Sequence, residues 1–311
     1  MGDFVNTIYV AKEAVSGTEQ AIARANVRLA KDVSMDGLTG DIASRELERD
    51  IASNSPAGFG NEKRNFKFAL ELVGSGAAGT VPVWMQDLTF CGMAEPVLVA
   101  GVSATQRFAE KGVALNSCTA HYYLGAERRR AIGARGTWSL MIEGGTAKKP
   151  YVMYDMIGFP AGAIVPDEVA LAGVDDYAAF ATVPLPASPE NTSFTLGNYA
   201  LALRSAKIDA NIDVTPRYLA SKKYINLGDR TSSAEFMVER PSVAVKNYYT
   251  NLIGETQIPF DLIHGLVAGN ICQITEQNAQ IIGVEDALEG DVPMLKINAQ
   301  LNFNTLTLIA R

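Results

Sequence analysis

The residues that could carry acid–base or metal chemistry are few in this chain and lie far apart in the sequence. There are two histidines, His121 and His264, and three cysteines, Cys91, Cys118 and Cys272, with no CxxC pair among them. A zinc site needs several such ligands at close spacing, and nucleophilic catalysis needs a base within reach of an activated group. We therefore interpret both histidines as structural, and we expect no enzyme activity, no metal and no cofactor.

A glycine-rich stretch, Gly74-Ser75-Gly76-Ala77-Ala78-Gly79, has the GxGxxG spacing of a dinucleotide-binding loop. In such a site the glycines let backbone amides approach a pyrophosphate at the start of a helix. Here Pro82 delays the helix, and no acidic residue closes the next apolar run, residues 97–99, to bind a ribose. We interpret the stretch as a loop. The alternative, a nucleotide-dependent enzyme, predicts that NAD or ATP stabilises the protein.

Arg128, Arg129 and Arg130 form a concentrated basic run, directly after Glu127 and between two strand patterns. A solvated hairpin tip is one interpretation, and a contact with a neighbouring subunit or a phosphate is the other. We favour the contact between subunits.

The composition limits the classes of protein to consider. With 311 residues, of which 48% are hydrophobic and 20% charged, the chain can bury one large core or two of ordinary size. The net charge of -7 and the pI near 5.0 argue against tight binding of nucleic acid. The sequence has no run of about eighteen apolar residues and no basic-then-apolar start, so we expect a soluble cytoplasmic protein that contacts no membrane.

Alternation of apolar and polar residues predicts a mainly β chain in which each strand has one solvent-exposed face. The pattern is strongest over residues 66–72, 136–143, 208–214, 235–239 and 297–303.

Two segments have helical spacing instead. One covers residues 82–92, where three apolar side chains share a face. The other covers residues 245–252, with Ser242 as the expected N-cap and Gly254 as the C-terminal stop.

Five of the thirteen prolines fall between Pro160 and Pro189, which is typical of a linker. We predict four parts: an N-terminal assembly segment (1–60), a first domain (61–160), a Pro-rich linker (161–195) and a second domain (196–311).

The two predicted domains end in a similar way. Each closes with a Gly-rich turn, a proline and an alternating strand, over residues 145–159 around Pro150 and residues 290–303 around Pro293. The spacings differ by one residue and no run of identities supports the match. Duplication and a common hairpin signature therefore both stay open.

Several short motifs follow one another along the chain. They are TIYVAKE (7–13) with Ser16-Gly17-Thr18, GDIASREL (40–47), FALELVGSGAAGT (68–80) with Trp84, CGMAE (91–95), GARGTWSL (133–140), PLP (184–186) and FTLG (194–197). In this order they resemble the major tail protein, or tail tube protein, of siphophages. The run Arg128 to Arg130 and the stretch after Leu196 have no counterpart among these motifs.

The resemblance implies a β-sandwich or half-barrel domain with one flanking helix, and the layout of the chain suits two such domains. It also implies that subunits close into rings, that rings stack into the tail tube of a virion, and that duplex DNA passes through the bore during ejection without tight binding. The implied partners are other copies of the chain, the tail terminator and tail tip proteins, and the tape measure protein. Assembly would take place in the cytoplasm of the host bacterium. The resemblance transfers no catalytic residue.

Two domains per chain favour a ring of three chains with pseudo-sixfold symmetry, and a true hexamer is the alternative. Six domains of about four strands would give roughly 24 strands and a bore about 45–50 Å across. Residues 1–60 lack the core expected of an independent domain, and we expect them to dock on a neighbouring subunit or ring.

A bore that passes DNA should offer the phosphates no lysine or arginine to bind. Two rows of polar residues on the wet faces of strand patterns fit this requirement: Asp209, Asn211 and Asp213, and Asn298, Gln300 and Asn302. We predict that both rows line the lumen. The alternative is that they face the outer solvent. A shift of the strand register by one residue would place them there.

A different class of protein, a carbohydrate- or receptor-binding β-sandwich of a virion or surface appendage, would also suit a β-rich chain without catalytic groups. It would use exposed aromatic and acidic side chains, for which Tyr122, Tyr123, Asp175 and Asp176 are the candidates. It predicts a monomer or a compact trimer, so a measurement of size separates the two hypotheses.

Overall fold

The computed structural model describes residues 6–45, 56–145, 147–169 and 173–311. The chain is mainly β, with 54% of residues in strands and 7% helical, which confirms that part of the prediction. The α-helices are α1 (Val83–Asp87) and α2 (Tyr248–Ile253). The strands are β1 (Asn6–Lys12), β2 (Val27–Arg28), β3 (Ala30–Met35), β4 (Thr39–Ala43), β5 (Gly58–Glu71), β6 (Val97–Val99), β7 (Ser103–Arg107), β8 (Cys118–Leu124), β9 (Glu127–Glu143), β10 (Tyr151–Pro160), β11 (Asp167–Glu168), β12 (Thr192–Leu196), β13 (Tyr199–Ala200), β14 (Leu203–Asp209), β15 (Ile212–Tyr218), β16 (Lys223–Arg230), β17 (Ser233–Glu239), β18 (Gln257–His264), β19 (Cys272–Glu289), β20 (Val292–Leu301) and β21 (Thr307–Ala310).

Among the described residues, nineteen strands belong to one hydrogen-bonded network, while β15 and β16 pair only with each other. A single hydrophobic core runs through both halves of the chain and includes Phe68, Trp138, Phe236 and Ile297. Neither α-helix of the described ranges is long and apolar enough to cross a membrane.

The order and pairing of strands in the first half recur in the second half. In the first half, β1 pairs with β2 and β8, β9 pairs with β8, β10 and β11, and β5 pairs with β10 and β3. In the second half, β12 pairs with β13 and β18, β19 pairs with β18, β20 and β21, and β17 pairs with β20 and β14. A short helix follows β5 in one half and β17 in the other. We call these sets the N-terminal and C-terminal repeats.

The two repeats are joined edge to edge. Ser205 to Asp209 of β14 pair with Glu143 to Ser139 of β9. The result is a continuous antiparallel sheet in the order β3-β5-β10-β9-β14-β17-β20-β19. The endings noted in the sequence, around Pro150 and Pro293, fall on β10 and β20, which hold the same position in the two repeats.

Each repeat carries an additional hairpin, which follows β3 in the N-terminal repeat and β14 in the C-terminal repeat. In the N-terminal repeat β4 pairs with the start of β5, and in the C-terminal repeat β15 pairs with β16. We call these hairpins the first and second arms. The N-terminal repeat also has an extra hairpin, β6–β7, whose β7 pairs with β21 of the C-terminal repeat.

The expectation that residues 1–60 lack core residues is wrong for the described part of this segment. All seven residues of β1 pair with β8, and Ile8 and Val10 are fully buried. Beyond β1, the buried Glu13 carboxylate accepts hydrogen bonds from Gly17 N, Ser117 Oγ, Thr119 Oγ1 and Gly133 N at 2.6–2.9 Å. The segment is therefore part of the N-terminal repeat, because it supplies a core strand and a buried acceptor. Residues 46–55 lie outside the described ranges.

The predicted linker, 161–195, contains two strands that belong to the repeats, β11 and the start of β12. The pattern over residues 208–214 is also not a single strand. It is divided at Asn211, whose φ of 45° lies in the left-handed region and whose side chain donates to Thr231 O and Ser233 Oγ. The chain therefore turns from β14 into the second arm.

Both predicted helices form, and the second begins later than expected. Its N-cap is Asn247, whose side-chain oxygen accepts from Tyr249 N and Thr250 N, while Ser242 lies further upstream. Gly254 ends the helix as predicted.

We expect Glu13→Ala to lower the free energy of unfolding by about 3 kcal/mol, because it leaves several buried donors without an acceptor. Urea denaturation measures this change, with exposed Glu110→Ala as the matched control. An unchanged unfolding midpoint would show that the first sixty residues are not part of the folded core.

Candidate assembly surface

The continuous sheet ends at two edges that have no partner strand among the described residues. At one end β3 pairs with β5 on one side alone. At the other end β19 pairs with β20 over residues 279–289, while β18 and β21 reach only residues 272–280. Unpaired backbone donors and acceptors on such edges are a template for pairing with another chain.

Exposed apolar side chains accompany these edges. Ile282 is 54% and Leu288 is 75% exposed on β19, and Leu29, directly before β3, is 53% exposed. The equivalent part of β9, where β14 covers the edge, keeps Leu140 and Ile142 fully buried. Large apolar side chains at an open edge indicate a surface that another molecule covers.

The two helices differ in the same way. In α1 of the N-terminal repeat, Trp84 and Met85 are buried, and Gly92 just beyond faces Ile212 of the C-terminal repeat. In α2, which follows β17 as α1 follows β5, Ile253 is 83% exposed. Tyr248 of α2 is buried like Trp84 of α1, so the difference lies at the end of α2, where the apolar side chain of Ile253 is left exposed.

One face of the continuous sheet is polar, and we call it the polar face. Because β side chains alternate, residues paired across neighbouring strands share a face. Ser139 pairs with Asp209, Asp209 with Ser233, Ser233 with Gln300 and Gln300 with Gln280, which gives one polar row across five strands. The opposite face holds the core residues Leu140, Ile208, Ala234 and Ala299. The sheet therefore separates the core from a surface that is polar over these five strands. On β10 and β5 the same row continues through Met153 and Ala69.

Three lysines on the polar face are paired with carboxylates. The ammonium nitrogen of Lys207 lies 2.7 Å from an Asp209 oxygen, and that of Lys296 lies 3.0 Å from Glu235. Across the junction, Lys67 lies 2.8 Å from Asp155. Each pair offsets a positive charge locally. Lys31 on β3 lies on the same face, is exposed, and has its ammonium group 3.5 Å from the centre of the Tyr151 ring.

The six residues predicted to line a lumen do not share one surface. Asp209, Asn298 and Gln300 lie on the polar face. Asn211 is in the turn after β14, and Asp213 is on the second arm in the separate two-stranded sheet. Asp209, Asn211 and Asp213 therefore do not form one row on a strand, because the turn at Asn211 interrupts the strand.

Asn302, the last of the six, follows the end of β20. Its side-chain nitrogen donates to Gln280 Oε1 at 3.3 Å, and Gln280 itself pairs with Gln300. Asn302 therefore borders the polar face at the end of the strand.

The arginine run makes its ion pairs within the chain. Arg128 donates to both carboxylate oxygens of Asp167, Arg129 pairs with Glu127 at 2.7 Å, and Arg130 lies 3.4 Å from Glu19. The hydrogen bond from Arg128 and its positive charge lower the pKa of Asp167. Arg128 and Arg130 thus connect β9 to other segments of the same chain, while the ion pair of Arg129 lies within β9. The contact with a neighbouring subunit stays a prediction.

The glycines of the GxGxxG stretch are needed for packing between the repeats. Gly76 N donates to Gly269 O at 2.9 Å, and a Cβ on Gly74 would lie 2.0 Å from that same oxygen. A Cβ on Gly79 would lie 2.4 Å from Gly101 N. The turn over residues 265–270 therefore occupies the space that a pyrophosphate would need.

The histidines and cysteines are buried in separate places. His121 contacts Glu19, His264 contacts Thr192, and burial lowers the pKa of both imidazoles. The three cysteines are buried and free, and burial raises their pKa values. In the ranges that the structure describes, no group of three His, Cys, Asp or Glu side chains could hold a metal ion.

No protein-family model and no curated protein matches this chain. The open edges, the polar face and the repeated topology are the features of the molecule that bear on its function. Sequence reasoning missed the edge residues Leu29, Ile282 and Leu288. A signal was present at Ile281-Ile282, where two successive apolar residues break the alternation at a bulge between Ile281 and Gly283.

We expect Gly269→Ala to destabilise the protein strongly, because the new Cβ would lie 2.6 Å from the backbone carbon of Gly76. Gly17→Ala is the matched control. Both glycines have φ between 80° and 90°, and both precede a turn hydrogen bond, but Gly17 has open space around its Cβ position. The melting temperature should fall much further for Gly269→Ala than for the control. Equal shifts would mean that the junction between the repeats does not depend on this close approach.

Proposed function

We propose that the protein is a structural subunit of a tail tube, in which two tail-tube-type domains per chain form rings that stack into a conduit for duplex DNA. The observation that carries this proposal is the internal junction between β9 and β14. The strands at the corresponding outer positions, β19 and β3, are open among the described residues. The resemblance of the sequence to siphophage tail tube proteins supports the same function.

The internal junction between β9 and β14 is the template for pairing between neighbouring chains in a ring. If β19 of one chain pairs with β3 of the next, as β9 pairs with β14 inside the chain, the sheet continues from subunit to subunit. Each repeat supplies four strands to this sheet, so three chains supply roughly 24. At about 4.8 Å between strands and a tilt near 40°, the backbone bore is about 45–50 Å across. Side chains narrow it by about 10 Å, which leaves room for a DNA duplex.

The polar face suits the inner wall of such a ring. Its amides, hydroxyls and locally paired lysines limit counterion release on contact with DNA, so a passing duplex would not be held. The opposite face carries the core and cannot face water. The other partners in this proposal are the tail terminator, the tail tip proteins and the tape measure protein, in a virion assembled in the cytoplasm of a host bacterium.

Three of the four residues named for the alternative, a carbohydrate- or receptor-binding sandwich, make contacts within the chain. Tyr122 is buried, and Tyr123 packs against Tyr9 with ring centroids 5.5 Å apart. Asp175 lies 2.5 Å from the Tyr9 hydroxyl and 3.1 Å from Arg24. The fourth residue, Asp176, is exposed and accepts a hydrogen bond from Ala178 N at 3.0 Å. The contacts of the other three favour the tail tube over this alternative.

We expect Ile282→Asp to prevent ring formation and leave the subunit folded, because a carboxylate on β19 would have to be buried at the junction with β3. Wild-type protein should form rings of three chains and tubes in electron micrographs, whereas the variant should sediment as a monomer with unchanged circular dichroism. Val174→Asp, at a site that is 89% exposed, is the control. Wild-type rings of six complete chains, or normal tubes from Ile282→Asp, would contradict the proposed ring.

The lumen is tested by adding positive charge to the polar face. We expect Asn298→Lys with Gln300→Lys to leave tubes intact but to slow DNA release and give the tube a salt-dependent affinity for duplex DNA. The control is Asp213→Lys, which changes the charge on the second arm, outside the polar face. Ejection rates that do not differ between the two variants, in particles with normal tubes, would show that the polar face does not line the bore.

A further inference from the structure

The two arms lie at the same end of the continuous sheet. The first arm extends β5 beyond Arg64, which pairs with Gly158 near the end of β10. The second arm continues from β14 past β9, where Ile212 N donates to Thr137 Oγ1 and Arg135 donates to Ile225 O. The two arms meet where the Tyr218 hydroxyl donates to Asn61 O at 2.7 Å. We call this the arm end of the sheet.

The tip of the second arm is basic. Arg217, Lys222 and Lys223 are exposed around the turn, and no Asp or Glu occurs between Asp213 and Asp229. The turn is closed by a hydrogen bond from Leu219 N to Lys222 O at 2.9 Å, and Leu219 is itself 53% exposed. In a protein of net charge -7, this is a local concentration of positive charge on a projecting element.

The hairpin that joins β19 to β20 lies at the opposite end of the sheet and is acidic. On β20, Gln300 pairs with Ser233 beside the second arm, and Val292 is eight residues away, or about 27 Å along the strand. The segment 285–291 contains four acidic residues and no basic one. Two of them pair with arginines: Asp286 with Arg240 at 3.1 Å, and Glu289 with Arg204 at 2.7 Å. Glu285 and Asp291 are exposed and add two further negative charges.

The corresponding hairpin of the N-terminal repeat has the opposite character. Between β9 and β10 the chain carries Lys148 and Lys149 and no acidic residue, and the two ammonium groups lie 3.0 Å from Glu143 and 4.0 Å from Glu71. The end of the sheet opposite the arms therefore alternates in charge from one repeat to the next. A basic tip is attracted to the acidic hairpin and finds no carboxylate to bind on the other hairpin, whose own charged residues are lysines.

We propose that the basic tip of the second arm docks on the acidic β19–β20 hairpin of a chain in the next ring. The partner is a second copy of this chain, selected by charge complementarity between opposite ends of the molecule. Because the β9–β10 hairpin is basic, the contact also fixes the rotation of one ring on the next, with C-terminal repeats placed over C-terminal repeats. This inference rests on the proposed function, since it requires rings that stack.

The test is a charge swap across the stacking contact. Lys222→Glu should still form rings of three chains, but the concentration needed for tube elongation should rise about tenfold, since like charges would then face each other at each contact. Asp291→Lys should have the same effect. A chain with both substitutions should elongate at the wild-type concentration, because it restores an opposite-charge pair. Elongation is followed by light scattering and electron microscopy at low ionic strength, where exposed charges are least screened.

Lys12→Glu is the matched control, since Lys12 is an exposed lysine on β1, paired with Glu95 and not part of the second arm or the β19–β20 hairpin. It should elongate like the wild type. Wild-type elongation by Lys222→Glu, or failure of the double variant to regain elongation while each single variant forms rings, would overturn the stacking contact. Wild-type protein that forms no rings would instead overturn the proposed function on which the contact rests.

Discussion

Backbone hydrogen bonds between β9 and β14 hold the two repeats in one sheet, and most other features of the molecule follow from that junction. The junction places Leu140 and Ile142 in a common core with Ile208, and it brings the turn over residues 265–270 against the glycines at 74 and 76. It also determines which edges remain open. A sheet built from two like units joined edge to edge must end in one unpaired edge of each kind unless it closes on itself.

The sequence predicted the strands well where the alternation of apolar and polar residues agrees with the burial of the side chains. Over residues 66–72 and 136–142 each second side chain is apolar, and these side chains face the core of β5 and β9. Prediction failed where a single residue changes the direction of the chain. The alternation of apolar and polar residues continues unbroken through residues 208–214, yet a left-handed backbone at Asn211 ends β14. A local hydrogen bond of the Asn211 side chain stabilises this turn, and the alternation does not reveal it.

The candidate site was predicted less completely, because charge in a sequence does not indicate its partner. Arg128 to Arg130 resembled an exposed basic run, yet their carboxylate partners come from residues 2 to 111 positions away in the chain. The sequence around Glu13 contains no signal for a buried carboxylate, although folding surrounds it with donors from Ser117, Thr119 and Gly133. Both cases depend on long-range contacts, which only the folded chain defines. The open edges were missed for the same reason, since an unpaired strand has the same local pattern as a paired one.

The differences between the repeats carry as much information as their similarity. A ring of identical repeats would present the same charge at every position around its rim, so one ring could sit on the next in any of six equivalent rotations. In this chain the second arm is basic, the β19–β20 hairpin is acidic and the β9–β10 hairpin is basic. These charges reduce the equivalent rotations from six to three in a ring of three chains. Linking two unlike repeats in one chain therefore adds rotational specificity at the rim while the inner sheet keeps its regular pairing.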